Sequence, residues 1–290
     1  VENIKQETID IFPNPPEKLK DLEPVYSPDN PPWGILIALL LWAVSVLLII
    51  VMPILFVAPY LFSQKVDFTN NEVFAKFLTS DITSILLQIG AIIPAHIITF
   101  VLAWFVITQY KKFSFKEMVG WDFAGYNTKQ IILIFIGLIL IVFAFAIGAN
   151  AVFGTQDNDL MMMLRKSRYI VFLVAFLAIF TAPIVEEVIY RGVLYSAFQK
   201  SLNVPLAVFL VTLVFAAVHF PQYWGDTATI VTLLFLSLVL TLMRVWTKSL
   251  LPCIAFHFIF NAIQSVLLIL QPYLPENLDP NATQGFFFLS

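Results

Sequence analysis

The chain has 290 residues, of which 60% are hydrophobic and 12% charged, with a formal net charge of −3. A soluble domain carries roughly a quarter of its residues as Asp, Glu, Lys and Arg, so this composition excludes an ordinary soluble fold, and the negative balance excludes a nucleic-acid partner. The expected fold class is all-α, a polytopic transmembrane bundle of about seven to eight helices. Cys253 is the only cysteine, which rules out an internal disulfide; its apolar setting reads as a packed thiol.

Residues 1–33 are polar and proline-rich, with Phe12-Pro13-Asn14-Pro15-Pro16 and Ser27-Pro28-Asp29-Asn30-Pro31-Pro32-Trp33. Proline at this density blocks helix and favours extended backbone. The expectation is a mobile tail ending at Trp33, whose ring suits a membrane interface. No apolar stretch precedes Gly34, so the segment does not read as a secretory signal.

Residues 34–168 read as N-terminal transmembrane helices and loops. Apolar runs cover 35–62, with Pro53 and Pro59 placed to kink it, then 83–108, containing Pro94 and His96, then 130–153. Residues 169–270 form the expected core. One helix runs from Tyr169 to near Lys200, and Asn203-Val204-Pro205 marks a turn into a helix over 204–219. Two more follow, over 228–243 and 250–270. The tail, 271–290, holds Phe286-Phe287-Phe288, too short to span and expected at the interface, and Asn281-Ala282-Thr283, read as a chance match to the glycosylation pattern.

Lysine and arginine set the orientation. With seven spans, the N-terminal tail, the 109–129 loop, the 186–203 turn and the 244–249 loop share one side and hold eleven basic residues, against five on the other. The tail is therefore expected in the cytoplasm and the protein in the cell (inner) membrane.

The uncharged run from Tyr169 to Val185 ends in Glu186-Glu187-Val188-Ile189-Tyr190-Arg191. An ionisable group at a membrane helix centre costs about 2.5–3.5 kcal/mol on insertion scales, and such groups persist where they pair or serve a wet site. Glu187 and Arg191 are four apart with the acid N-terminal, the better order for an ion pair. Glu186, about 100° away around the helix, is left for other work.

His219 follows Phe215 by four residues. Glu186 lies roughly 21 Å before the turn near residue 201 and His219 roughly 25 Å after it, at 1.5 Å per residue. Antiparallel packing would bring the two to a common depth. His257 and Asn261 are again four apart, amid Phe256, Phe258 and Phe260, and polar groups in that setting must point inward. His96 reads as satisfying a carbonyl freed by Pro94 rather than as a site residue.

Two chemistries fit these residues. Glu186 and His219 could activate a water as general base, with His257 and Asn261 donating to a tetrahedral oxyanion. Alternatively two histidines and a glutamate could bind zinc, although H-E-x-x-H is absent. A non-enzymatic scaffold or immunity factor would keep the polar cluster for packing alone, and a proton-relay transporter is a weaker reading for want of repeats or broken helices.

The patterns E-E-x-x-x-R at Glu186, Glu187 and Arg191, F-x-x-x-H at Phe215 and His219, and H-x-x-x-N at His257 and Asn261 resemble the three motifs of the CPBP family. These are the CAAX prenyl endopeptidases and bacteriocin-processing enzymes, also called the Abi family, intramembrane glutamic proteases. The similarity covers about residues 170–265. It implies that Glu186 and His219 activate water and that His257 and Asn261 stabilise the oxyanion. Glu187, Arg191 and Phe215 support them, without metal or other cofactor. The implied partners are a peptide or protein substrate, prenylated in some members of the family, and the lipid bilayer.

Overall fold

A computed structural model describes residues 25–154, 156 and 158–273. The Phe286–Phe288 segment and the Asn281 tripeptide lie outside the described residues. Among those described, the chain is helical, with no strand beyond an isolated bridge between Ser27 and Asn30.

The helices are α1 (Ile35–Ser63), α2 (Asn71–Ser80), α3 (Ile82–Gly90), α4 (Ile92–Thr108), α5 (Phe115–Val119), α6 (Thr128–Phe153), α7 (Asp159–Leu164), α8 (Arg168–Ser201), α9 (Val204–His219), α10 (Thr227–Thr247) and α11 (Leu251–Leu270). Six spans are long and apolar enough to cross a bilayer, and α9 is a shorter apolar helix beside them. The protein is an integral, multi-pass membrane protein.

The surface of α1 shows why a bilayer suits it. Leu36, Leu40, Leu47, Ile50 and Ile54 are exposed, while Ala38 and Ser45 face inward. Lipid is as apolar as leucine, so small residues go to the interface, where they let backbones approach. The second expected span is divided: α3 ends at Gly90 and α4 begins at Ile92. Pro94 lacks an N–H, and its ring interferes with the carbonyl four residues back, that of Gly90.

The same chemistry shapes α8. Its hydrogen bonding widens over Leu177–Thr181 and again over Val188–Leu194. In the first wide turn the Ala182 N–H reaches back five residues to Leu177 O. In that register Pro183, having no N–H, leaves the Ala178 carbonyl without its helical donor. The Asn261 side chain supplies one, with Nδ2 donating to Ala178 O at 2.8 Å. Single wide turns of this kind concentrate at functional sites, and Glu186 and Glu187 lie between the two.

At one end of the bundle the segment before α1 is docked rather than loose. Trp33, expected at the membrane interface, is 1% exposed and donates from Nε1 to Val193 O at 3.2 Å. The buried Arg244 guanidinium pairs with Asp29 Oδ1 at 3.0 Å and donates to Pro28 O at 2.9 Å. Lys200 donates to Pro31 O and Gln199 to Asp29 O. The prolines that bar this segment from helix leave its carbonyls to accept these side chains. The expectation of a loose tail therefore fails for residues 25–33.

The same end holds Gly120 (φ 68°), where a Cβ would come within 2.7 Å of Lys248 O. The close approach lets Leu250 N donate to Gly120 O at 2.8 Å, tying α5 to the start of α11. Residues 25–33, the α4–α6 connection, the α8–α9 turn and the α10–α11 loop thus share one face, the grouping expected from the charges. At the opposite face Asn158 donates to Asp226, whose side chain also caps α10.

Trp33→Ala is expected to lower the melting temperature in detergent. Truncating a buried Trp costs about 3 kcal/mol or more, and Asp29→Ala is expected to lower the melting temperature as well, because the buried Arg244 guanidinium would lose its carboxylate. Thermal scans of the two variants check both losses.

Candidate active site

Glu187 and Arg191 are both fully buried, and their Oε1–NH1 distance is 2.9 Å. The pair is the centre of a larger network. Arg191 also donates from NH2 to Ser237 Oγ at 2.8 Å and Ser237 O at 3.0 Å, and from Nε to Thr241 Oγ1 at 3.3 Å. Its guanidinium carbon stands 4.8 Å from the centre of the Phe215 ring. One cation therefore joins α8, α9 and α10, its donors met by a carboxylate, two hydroxyls and a carbonyl.

Glu187 has a second partner, which the sequence spacing did not show. Its Oε1 also lies 2.9 Å from His257 Nδ1. An ionised carboxylate only accepts, so Nδ1 carries the proton and donates. Glu187 thus fixes the ring of His257 on α11, leaving Nε2 turned toward Glu186, 3.9 Å from its Oε2.

Glu186 stands between two imidazoles. Its Oε1 is 3.9 Å from His219 Nε2. His219 is fixed from behind, Nδ1 lying 2.9 Å from Phe215 O. A carbonyl can only accept, so Nδ1 donates and a neutral ring carries its lone pair at Nε2. Phe215 packs 4.8 Å from the His219 ring and edge-on to Tyr190 at 5.0 Å. Neither 3.9 Å separation is a hydrogen bond; each is one that a water can bridge. Glu186 Oε2 is buried and has no hydrogen-bond partner among the described residues.

Glu186, His219 and Tyr190 line a cavity of about 760 Å³, walled mainly by apolar residues of α1, α3, α4, α7, α8 and α9. The depth match read from the α8–α9 turn is thus realised. Asn261 is buried one turn from His257, and its amide serves the Ala178 carbonyl. His96 does not serve a carbonyl freed by Pro94: its Nδ1 pairs with Thr181 Oγ1 at 2.9 Å, and the residue lines the cavity. Cys253 is buried, with Sγ within 3.7 Å of Ser249 O and Leu240 O, a packed thiol as expected. Ser237 and Thr241, four apart on the apolar α10, are the signal in the sequence for this network, one not included among the expected site residues. Among the described residues, no group of three or more His, Cys, Asp or Glu is placed to hold a metal ion.

Fold and site together define a multi-pass helical membrane protein with a carboxylate–histidine cluster open to an intramembrane cavity. Residues 168–263 match the family model described as Type II CAAX prenyl endopeptidase Rce1-like. This segment, from α8 into α11, is thus similar to the CAAX prenyl endopeptidases and carries all three motifs. No curated protein and no solved structure matches the chain.

Proposed function

We propose that the chain is an intramembrane endopeptidase of the glutamic type, in which Glu186 and His219 activate a water. The observation that carries this reading is the 3.9 Å gap between Glu186 Oε1 and His219 Nε2 at the cavity wall. Two acceptors at that spacing can share the two hydrogens of one water and turn its oxygen toward a carbonyl. As the oxygen adds to the carbonyl carbon, one proton passes to Glu186. When the tetrahedral species collapses, the C–N bond breaks and that proton goes to the leaving amine.

The oxyanion is assigned to His257 and Asn261. His257 already donates from Nδ1 to Glu187, so donation from Nε2 requires the doubly protonated ring. Glu187 lies 2.9 Å from its Nδ1 and Glu186 3.9 Å from its Nε2. Asn261 would share its task at the oxyanion with holding the Ala178 carbonyl. Glu187, Arg191 and Phe215 hold the reacting groups in register.

The substrate is a peptide or protein that reaches the site from the membrane, with a prenylated CAAX-type tail as the specific class proposed from the family description. The docked N-terminal face is placed in the cytoplasm, on the strength of its excess of Lys and Arg.

The mechanism uses no metal. Cleavage by the purified protein is expected to keep at least half its rate after incubation with EDTA or phenanthroline. Loss under chelation, restored by added zinc, would favour the metalloprotease instead.

A further inference from the structure

One turn of α4 brings to the cavity wall two polar residues whose hydrogen-bonding capacity the described residues do not fully use. His96 is 6% exposed and lines the cavity that holds Glu186 and His219. The Thr181 hydroxyl lies 3.3 Å from Leu177 O and 2.9 Å from His96 Nδ1; in the tautomer that keeps its hydrogen on Leu177 O, it accepts from His96 Nδ1–H. That tautomer leaves the Nε2 lone pair as an acceptor, and among the described residues the one hydrogen bond of the His96 ring is that at Nδ1. Thr99, three residues on, also lines the cavity; it is 1% exposed, and its buried Oγ1 has no hydrogen-bond partner among the described residues. Residues three apart share a helix face with Cβ atoms roughly 5–6 Å apart.

Polar groups inside a membrane protein are costly when unpaired and mark sites that something else completes. This pair offers one acceptor and one hydroxyl on a single face. It comes from a helix outside the matched family segment, in a cavity otherwise walled mainly by apolar side chains.

We propose that His96 and Thr99 form a subsite for the main chain of the substrate. His96 Nε2 accepts a peptide N–H, and Thr99 Oγ1 donates to a peptide carbonyl close to the scissile bond. An extended peptide supplies both groups whatever its side chains, so the subsite positions the chain beside Glu186 without selecting sequence. Both are positioning residues, and the inference rests on the proteolytic reading above.

The experiment uses the full chain in liposomes and a peptide that the wild type cleaves, with binding measured in parallel on an analogue whose scissile amide is reduced to CH2–NH. Thr99→Val, nearly isosteric, and His96→Leu are each expected to raise KM and the analogue's Kd about tenfold, the scale of a lost hydrogen bond, with kcat changed less than about twofold. His96→Gln, which keeps an acceptor, should recover part of the loss. Peptides with one non-scissile amide replaced by an ester, walked along the substrate, should include one that loses about tenfold with the wild type and nothing further with His96→Leu. A purely structural role would not produce that coupling.

Unchanged KM and Kd in both variants, or ester penalties equal in wild type and His96→Leu, would overturn the subsite. Binding that depends on His96 without any cleavage would instead overturn the proteolytic reading and leave the subsite standing.

Discussion

Glu186→Ala is expected to fold, to keep or slightly raise its melting temperature, and to lose peptide cleavage by about three orders of magnitude or more. A positioned general base contributes on the order of 10²–10⁴ in rate, and Glu186 also orients the water. The stability expectation follows from its surroundings. The carboxylate is largely buried, one oxygen has no partner, and its two histidine neighbours stand at 3.9 Å rather than in hydrogen-bond contact. A buried carboxylate held this loosely costs the fold more than it returns. Retained cleavage would remove Glu186 from the reaction, and a large drop in melting temperature would make it a packing residue.

Glu187→Ala, one residue along, is expected to do the reverse. Removing one partner of a buried ion pair costs about 3–5 kcal/mol, because the other charge stays buried. Here the orphan would be Arg191, fully buried among Ser237, Thr241 and Phe215. His257 would lose the acceptor that orients its ring. The variant should melt far below wild type in detergent and be lost in part as aggregate, while Glu187→Gln, which keeps an acceptor oxygen, should fall between the two. A Glu187→Ala melting temperature within a degree or two of wild type would show that the serine and threonine contacts suffice for Arg191.

The division between these neighbours was legible in part. The i,i+4 spacing gave the Glu187–Arg191 pair, and counting residues to the α8–α9 turn gave His219 as the partner of Glu186. Both follow from helix geometry alone. The Glu187–His257 bond was not legible, because how α11 packs on α8 depends on side-chain fit between helices distant in sequence. Nor was the task of Asn261 at Ala178, since Pro183 disturbs the carbonyls before it only in the register that the helix then adopts. The buried Trp33 was misread for a physical reason: proline forbids helix but does not forbid docking, and its exposed carbonyls suit Arg244 and Lys200. His96 was assigned to its own helix because Pro94 was the nearest visible cause, whereas its partner, Thr181, lies on α8.

The most direct measurement is peptide cleavage by the purified full-length protein in liposomes, with prenylated and unmodified peptides and fragments read by mass spectrometry. The wild type should yield two fragments whose masses sum to the peptide plus one water, while Glu186→Gln and His219→Ala, folded by thermal scan, yield none. Cleavage undiminished in either variant, or none by the wild type on any peptide, would contradict the glutamate–histidine mechanism.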